Sequence, residues 1–271
     1  MKKKTQWWRL PIAILICIVF LSPLYLLISV AFRSPTDLSS YWSLPTELHL
    51  ENFFSAISEG KILKSIANSA IITVGSVVIL VVAGSLAAYP LARKKTKFNS
   101  GVNSFILGIM MVPPLSILVS LYSVLVDLKG INSYWGLILT LVTFELPLAI
   151  FLYTNFIKSL PKALDEAASI DGCGPIRTFF QIILPQLMPV TASVVILTGV
   201  HCWNDYQFSL YIMQNSNLRT VPLAIASYFS QTTSNVNAAA AAALLAILPP
   251  VLAFLFLQKY FIKGMVDSAI K

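Results

Sequence analysis

Charged residues are scarce in this chain. Only 11% of its 271 residues are Asp, Glu, Lys or Arg, whereas 57% are apolar and the mean hydropathy is +0.78. Soluble domains carry about 25% charge, so this composition excludes a soluble globular protein, and its hydrophobicity excludes disorder. Three scattered cysteines make no disulfide framework. What remains is an integral membrane protein.

The chain also lacks the motifs of a catalyst. It contains no G-x-x-x-x-G-K-[ST] phosphate loop, so we do not expect it to bind ATP in the usual way. Its histidines and cysteines have no metal-ligand spacing, and Cys202 beside His201 is interpreted as a packing residue. We therefore predict no catalytic residue, no metal and no cofactor. The net charge of +8 does not indicate nucleic-acid binding, because the basic residues cluster between long apolar runs.

Six apolar runs are long enough to span a membrane. They cover residues 10–32, 64–92, 100–126, 134–157, 186–212 and 238–260. Because they do not alternate as barrel strands do, they predict an all-α integral membrane protein with a single transmembrane domain over residues 1–271.

Prolines and small residues predict how these spans bend and pack. Kinks or breaks are expected at Pro23, Pro113-Pro114, Pro147 and Pro249-Pro250. A second expectation is close packing against a helix of a partner subunit, which small residues along the second span favour: Gly75, Ser76, Gly84 and Ser85.

The basic residues predict the orientation of the chain. Alternate connecting segments, together with both termini, hold 14 of the 19 Lys and Arg residues, and the remaining segments hold 5. Basic residues resist translocation, so both termini are expected to be cytoplasmic. An even number of spans agrees with that topology.

The predicted cytoplasmic segment 158–185 has the pattern of a folded loop. An apolar face formed by Leu160, Ala163, Leu164, Ala167 and Ala168 has helical spacing. Ser159 before Pro161 is a candidate helix start, and Gly172 is a candidate left-handed cap. A second apolar helix is expected through Phe179 and Phe180 to Pro185. The shallow alanine face predicts docking in a partner's groove, and the alternative is an interfacial helix on the bilayer.

A spaced motif in this segment resembles a known family. Glu166-Ala167-Ala168, Gly172, Ile182 and Leu184-Pro185 match the pattern EAA-x3-G-x9-I-x-LP of binding-protein-dependent ABC importer permeases. The chain also resembles the maltose-permease G-type branch that imports carbohydrates. That likeness is carried by Trp203-Asn204-Asp205-Tyr206 and by the tail Gln258-Lys259-Tyr260-Phe261-Ile262-Lys263-Gly264.

The resemblance implies a six-helix type I ABC importer permease bundle whose cytoplasmic EAA helix docks in a cleft of an ATPase. The ATPase-coupling residues would be Leu164, Asp165, Glu166, Ala167, Ala168, Asp171 and Gly172. The implied partners are a second homologous permease, two cytoplasmic ATPase subunits, an extracytoplasmic sugar-binding protein, membrane lipid and a sugar. The implied location is the cell membrane of a prokaryote. The rival hypothesis is a self-contained channel or secondary transporter, for which only Glu145 lies deep enough to couple transport.

Two further groups of residues are candidates for contact with the sugar or its carrier. The translocation-pathway candidates are Glu145, Trp203, Asn204, Asp205 and Tyr206. A neutral hydrogen-bonded Glu145 and an interfacial aromatic belt are the alternatives, and much of the sugar pocket could belong to the other permease. In the outer loop 213–237 the resemblance implies a contact with the binding protein, carried by Tyr228, Gln231 and Asn235, and the alternative is a solvated loop.

Overall fold

The structure is a computed structural model that describes residues 8–45, 47–229 and 235–269, with side chains up to Lys259. Its regular elements in those residues are helices. They are α1 (Arg9–Ala31), α2 (Glu51–Ser58), α3 (Ile62–Arg93), α4 (Lys97–Ile109), α5 (Leu118–Asp127), α6 (Tyr134–Ser159), α7 (Ala163–Ile170), α8 (Pro175–Gln186), α9 (Met188–Trp203), α10 (Gln207–Ile212), α11 (Val221–Ala226) and α12 (Val236–Ala269), with short 3-10 turns at Pro114–Ile117 and Ser216–Leu218. The predicted all-α class is confirmed.

Four of these helices are long and apolar enough to cross a membrane, namely α1, α3, α6 and α12. Two further pairs qualify only if each bent pair counts as one span: α4 with Pro114–Asp127, bent by 92°, and α8 with α9, bent by 74°. Between four and six spans are therefore present in the described residues. Five of them begin within three residues of a predicted apolar run, whereas the pair α8 with α9 begins at Pro175, eleven residues before the predicted start at 186.

The prolines behave differently from one another. Helices α1, α6 and α12 continue through Pro23, Pro147 and Pro249-Pro250, so the expected breaks are absent there. A single missing hydrogen bond is tolerated in a long apolar helix where neighbours satisfy the freed carbonyl. Pro113-Pro114 does interrupt its span, because Pro113 adopts an extended conformation with ψ of 123°.

The predicted continuous span 186–212 is wrong in its second half. Helix α9 ends at Trp203, and the chain turns before α10 begins at Gln207. The cause is Asp205, whose carboxylate accepts hydrogen bonds from the backbone N–H of Ser209 at 2.8 Å and of Phe208 at 3.3 Å. An acidic side chain that satisfies these amides starts a new helix.

The chain divides into two compact units, of which the larger comprises Ser65–Leu223 with the chain from Pro249 onward. Its core forms where α3, α6, α8 and α9 meet, around Leu80, Tyr153, Ile183 and Val194, which are fully buried. Close packing of this kind needs small residues at the helix contacts.

The small residues of α3 supply that close approach within this chain. A Cβ on Gly75 would lie 2.9 Å from the Ile138 side chain, and one on Gly84 would lie 3.1 Å from the Cβ of Ala149. Ser76 and Ser85 are also buried within the chain. The expectation that these four residues meet a partner subunit is therefore wrong, because α6 covers Gly75 and Gly84 and both serines are buried in this chain.

The smaller unit comprises the chain up to Lys64 together with Ala224–Leu248. At its centre Arg33 is fully buried and donates hydrogen bonds to the carbonyls of Ser39 and Ser43 at 2.7 and 2.6 Å. Asn52 and Asn237 donate to the carbonyl of Arg33. The buried guanidinium, whose Nε lies 3.7 Å from a carboxylate oxygen of Asp37, thereby holds the segment after α1 in place.

Candidate functional site

The candidate coupling helix α7 ends in a Schellman motif. Gly172 has φ of +76°, which confirms the predicted left-handed cap. Its N–H donates to the carbonyl of Ser169 at 3.1 Å, and the N–H of Cys173 donates to the carbonyl of Ala168 at 2.8 Å. This pair of bonds is the one that such a cap makes. The glycine therefore sets the direction in which the chain leaves the helix.

The start of α7 differs from the prediction. Ser159 is the last residue of α6, and α7 begins at Ala163. Leu160 between them is extended, with ψ of 139°, because Pro161 disfavours the helical conformation of the residue before it. The predicted helix start at Ser159, and the place of Leu160 on the helical face, are therefore wrong.

Of the two alanines of the motif, Ala167 is exposed and Ala168 is buried. Ala168 is 1% exposed and packs inside this chain, so it is not available to a partner. The exposed stripe of α7, hereafter the docking face, consists of Ala163, Glu166, Ala167 and Ile170 at i, i+3, i+4 and i+7. The predicted alanine face is thus divided between an inward side and an outward side. Leu164 is half-buried, while Asp171 beside the cap is exposed.

An ion pair ties α7 to the end of α3. A carboxylate oxygen of Asp165 lies 2.9 Å from Nη2 of Arg93, and its other oxygen accepts a hydrogen bond from the Tyr89 hydroxyl at 2.7 Å. Arg93 also donates to the carbonyl of Leu160 at 3.1 Å. Both charged side chains are mostly buried, so solvent screens the pair weakly. These contacts therefore connect α7 to the end of a long apolar helix.

The second arm of the loop meets the same helix end. Helix α8 contains a π-helical turn at Phe179–Ile183, and a turn of this kind often marks a functional site. Phe179 is 3% exposed, and its ring centroid lies 5.5 Å from that of Tyr89. Both arms of segment 158–185 thus rest on the last turns of α3.

Glu145 has an ionisable partner, the imidazole of His201, within the apolar helices. Nδ1 of His201, on α9, lies 3.1 and 3.2 Å from the two carboxylate oxygens of Glu145, on α6. The Glu145 side chain is 18% exposed and that of His201 is 56% exposed. An ionisable pair at this depth is costly against lipid, so its open side has to meet water or another protein.

The residues after His201 have different surroundings. Trp203 is 8% exposed and lines an apolar cavity of about 340 Å³ between α3, α9 and α12. Asn204 is exposed and donates to the carbonyl of Val200, and Tyr206 is 42% exposed. The carboxylate of Asp205 also accepts from the Ser209 hydroxyl at 2.7 Å. Of the four, Asn204 and Tyr206 are exposed, whereas Trp203 is buried and Asp205 is held by hydrogen bonds from α10.

The candidates in the outer loop fall at the edge of the described residues. Tyr228 is half-buried against Gly60, and burial raises the pKa of its phenol. Asn235 is exposed and caps α12, since its side-chain oxygen accepts from the N–H of Ala238 at 2.9 Å. Gln231 lies outside the described residues.

Comparison with known proteins identifies the family of this chain. A family profile described as "Binding-protein-dependent transport system inner membrane component" matches residues 53–267. The chain belongs to that family. The permease is 42% identical over 260 residues to the "Melibiose/raffinose/stachyose import permease protein MelC" of Bacillus subtilis (strain 168), with 96% of this chain and 94% of the relative covered.

Other relatives agree. The permease is 30% identical over 276 residues to the "Multiple sugar-binding transport system permease protein MsmG" of Streptococcus mutans serotype c, covering 100% of this chain and 99% of the relative. Its fold matches a chain from the crystal structure of a bacterial ABC transporter involved in import of the acidic polysaccharide alginate. The TM-score is 0.78 at 18% identity, covering 96% of this chain and 99% of the other. The permease is therefore a multi-pass membrane protein with an ABC importer permease fold.

Sequence analysis missed three residues that the permease brings to these sites. His201 was set aside with its neighbour Cys202, although a second ionisable residue in an apolar run was a signal that it could face Glu145. Arg93 was counted only as a topology signal and Tyr89 was not singled out. Their contacts with Asp165 depend on the fold of the loop, which the sequence spacing does not contain.

Replacing Gly172 by valine is expected to weaken the docking of the permease. No atom lies within 4 Å of a Cβ built on Gly172, so the penalty comes from the positive φ and is about 1–2 kcal/mol. Valine therefore shifts the chain after α7 without a steric clash. We expect ATP-driven uptake to fall at least tenfold while the membrane level stays normal. Gly174→Val is the matched control, because Gly174 is equally open but has φ of −71°. Equal uptake by the two variants would contradict this role of the cap.

Replacing Glu145 by alanine is expected to reduce sugar uptake by roughly tenfold. The change removes the hydrogen bond between the carboxylate and the imidazole of His201, worth about 1 kcal/mol where the imidazole is 56% exposed, and it removes a polar group from the open side of the pair. Because the docking face is untouched, recovery of ATPase subunits should stay at the level of the unaltered permease. Glu145→Gln retains a hydrogen-bond acceptor and should keep more uptake than Glu145→Ala. Unchanged transport in Glu145→Ala would remove this pair from the pathway.

Proposed function

We propose that this chain is the transmembrane permease subunit of an ATP-driven sugar importer in the cell membrane of a prokaryote. It forms half of the translocation pathway with a second homologous permease, has both termini in the cytoplasm, and works with two cytoplasmic ATPase subunits and an extracytoplasmic sugar-binding protein. The observation that carries the proposal is α7, a short helix with a Schellman cap and an exposed face at the EAA motif on which Ala163 and Ala167 are small.

Coupling follows from the two sides of α7. The docking face enters a cleft of the ATPase, where Ala163 and Ala167 allow close approach and Glu166 supplies charge. On the inward side Asp165 carries the displacement to Arg93 and so to α3. Leu164 and Ala168 hold α7 on the bundle, and Gly172 with Asp171 sets the direction of the chain toward α8. ATP is hydrolysed by the separate subunits, since this sequence has no phosphate loop.

The pathway residues are proposed on the outward side of Glu145 and α9. Glu145, His201, Asn204 and Tyr206 offer carboxylate, imidazole, amide and phenol groups, which suit sugar hydroxyls and ring faces. Trp203 and Asp205 act behind them by packing and capping. The loop from Tyr228 to Asn235 is the proposed contact with the binding protein.

The proposed substrate is an oligosaccharide of the kind named for the 42% identical relative, which imports melibiose, raffinose and stachyose. Calorimetry of the associated binding protein with each of the three sugars tests the choice. If the binding protein binds none of the three sugars, this substrate class is rejected, whereas the assignment of the chain as a permease is unaffected.

Co-purification tests the assembly. Affinity purification of the tagged chain from its native membrane, followed by native mass spectrometry, should yield a complex with one second permease and two ATPase subunits. In the single chain the open side of the Glu145–His201 pair and the docking face of α7 are uncovered, so we expect the unpaired subunit to be unstable. A stable monomer that retains no ATPase would contradict the proposal.

A further inference from the structure

A wide groove rich in lysine opens beside the end of α3. Its volume is about 690 Å³, and its walls come from the α3–α4 connection, the first turns of α4 and the α6–α7 corner. Five lysines from these distant parts of the sequence line it, namely Lys94, Lys95, Lys97, Lys158 and Lys162. Basic residues are common in the cytoplasmic segments of membrane proteins, but this preference does not require that five lysines line the same groove.

The lysines have no protein counter-charge. Arg93, at the rim, is paired with Asp165, whereas the five lysines make no ion pair within the described residues. No carboxylate belongs to the described lining of the groove. Like charges brought together in this way repel one another, so a bound anion would relieve the repulsion.

Polar side chains on α4 continue the groove into the apolar part of the molecule. Asn99 is occupied, since its amide donates to the carbonyls of Pro90 and Lys94. Ser100 and Asn103 line the groove one and two turns into the helix, and their side chains make no hydrogen bond within the described part of the chain. Asn103 lies six residues after Lys97 along the helix, about 9 Å further from its start. Leu91 and Ala92 add an apolar wall.

We propose that this groove binds the headgroup of an anionic phospholipid with a hydroxylated headgroup, of the phosphatidylglycerol type. The lysines hold the phosphodiester, while Ser100 and Asn103 hydrogen-bond the hydroxyls and ester oxygens. The acyl chains lie along the apolar exposed surface of α4 beyond Asn103, where Leu107, four residues further along the helix and on the same side, is 48% exposed. A lipid fits better than a free anion because cationic, polar and apolar walls follow one another along the groove. The proposal does not depend on the transported substrate.

The test compares lipid retention by the full complex with and without the lysines. The complex is purified in detergent, placed in nanodiscs of phosphatidylcholine and phosphatidylglycerol in equal parts, and the retained phosphatidylglycerol is counted by native mass spectrometry. The variant K94Q/K97Q/K158Q should bind roughly a hundredfold more weakly, since each lysine near an anionic surface contributes about fivefold. The matched control K61Q/K64Q/K129Q removes the same charge at positions outside the groove and should retain the lipid, as should K94R/K97R/K158R.

Two further measurements separate the sources of phosphate. Asn103→Leu leaves every charge in place and should lower the preference for phosphatidylglycerol over phosphatidic acid. Inorganic phosphate at millimolar concentration should not displace the lipid, and displacement would reassign the groove as a site for free anions. Equal retention by the K94Q/K97Q/K158Q variant and its matched control would overturn the proposal. Thermal unfolding of each variant in neutral lipid verifies that the fold is unchanged.

Discussion

Replacing Ala167 by tryptophan is expected to abolish ATP-driven sugar uptake, with a loss of at least a hundredfold. Ala167 is exposed at the middle of the docking face. A tryptophan at this position would clash with the wall of the ATPase cleft in which α7 is proposed to bind. Removing central contacts of an interface costs 2 kcal/mol or more, so the ATPase subunits should be lost from the membrane. The measurement is uptake together with the ATPase recovered in the membrane fraction.

Two other alanine substitutions calibrate this result. Ala167→Ser keeps a small side chain and should transport nearly as well as the unaltered permease. Ala168→Trp should instead fail in folding, because Ala168 is buried within the chain and overpacking costs about 1–3 kcal/mol or more. Equal protein levels and equal uptake for the two tryptophan variants would contradict the assignment of the two faces of α7.

Replacing Asp165 by asparagine is expected to uncouple ATP hydrolysis from transport. The substitution removes the charge opposite Arg93 but keeps an oxygen for the Tyr89 hydroxyl. An unpaired, mostly buried guanidinium costs about 3–5 kcal/mol, and hydration of the Arg93 side chain lowers this cost. Without the ion pair, α7 is held less firmly against α3. We expect the ATPase to remain bound and active while sugar transported per ATP falls about tenfold.

The exchange of the two charges is the matched control for this pair. Arg93→Asp combined with Asp165→Arg restores opposite charges and should recover part of the coupling that either change alone destroys. Tyr89→Phe removes one hydrogen bond, worth about 1 kcal/mol, and should have a smaller effect. If coupling in Asp165→Asn equals that of the unaltered permease, α7 transmits its motion by another route.

The sequence predicted those features that depend on local chemistry. Long apolar runs fix the spanning helices, and Gly172 was identified as a left-handed cap because glycine alone adopts that conformation without penalty. The break at Pro113-Pro114 follows from the missing N–H groups and the restricted residue before a proline.

What the sequence did not predict depends on which residues the fold brings together. Helical spacing placed Ala167 and Ala168 on one apolar face, because periodicity cannot tell burial in the chain from exposure to a partner. Asp205 was assigned to the pathway, although it caps a helix whose start was hidden inside an apolar run. The pairing of Glu145 with His201 joins two helices, and a single sequence carries no record of that contact.

Reconstituted transport tests the central claim most directly. Liposomes that contain this chain, the second permease and the two ATPase subunits are supplied with the binding protein outside, ATP inside and radiolabelled raffinose. We predict uptake that requires ATP, the binding protein and every subunit, and that is lost with Ala167→Trp. Uptake of the same rate by this chain alone, without ATP, would contradict the account and identify a self-contained transporter.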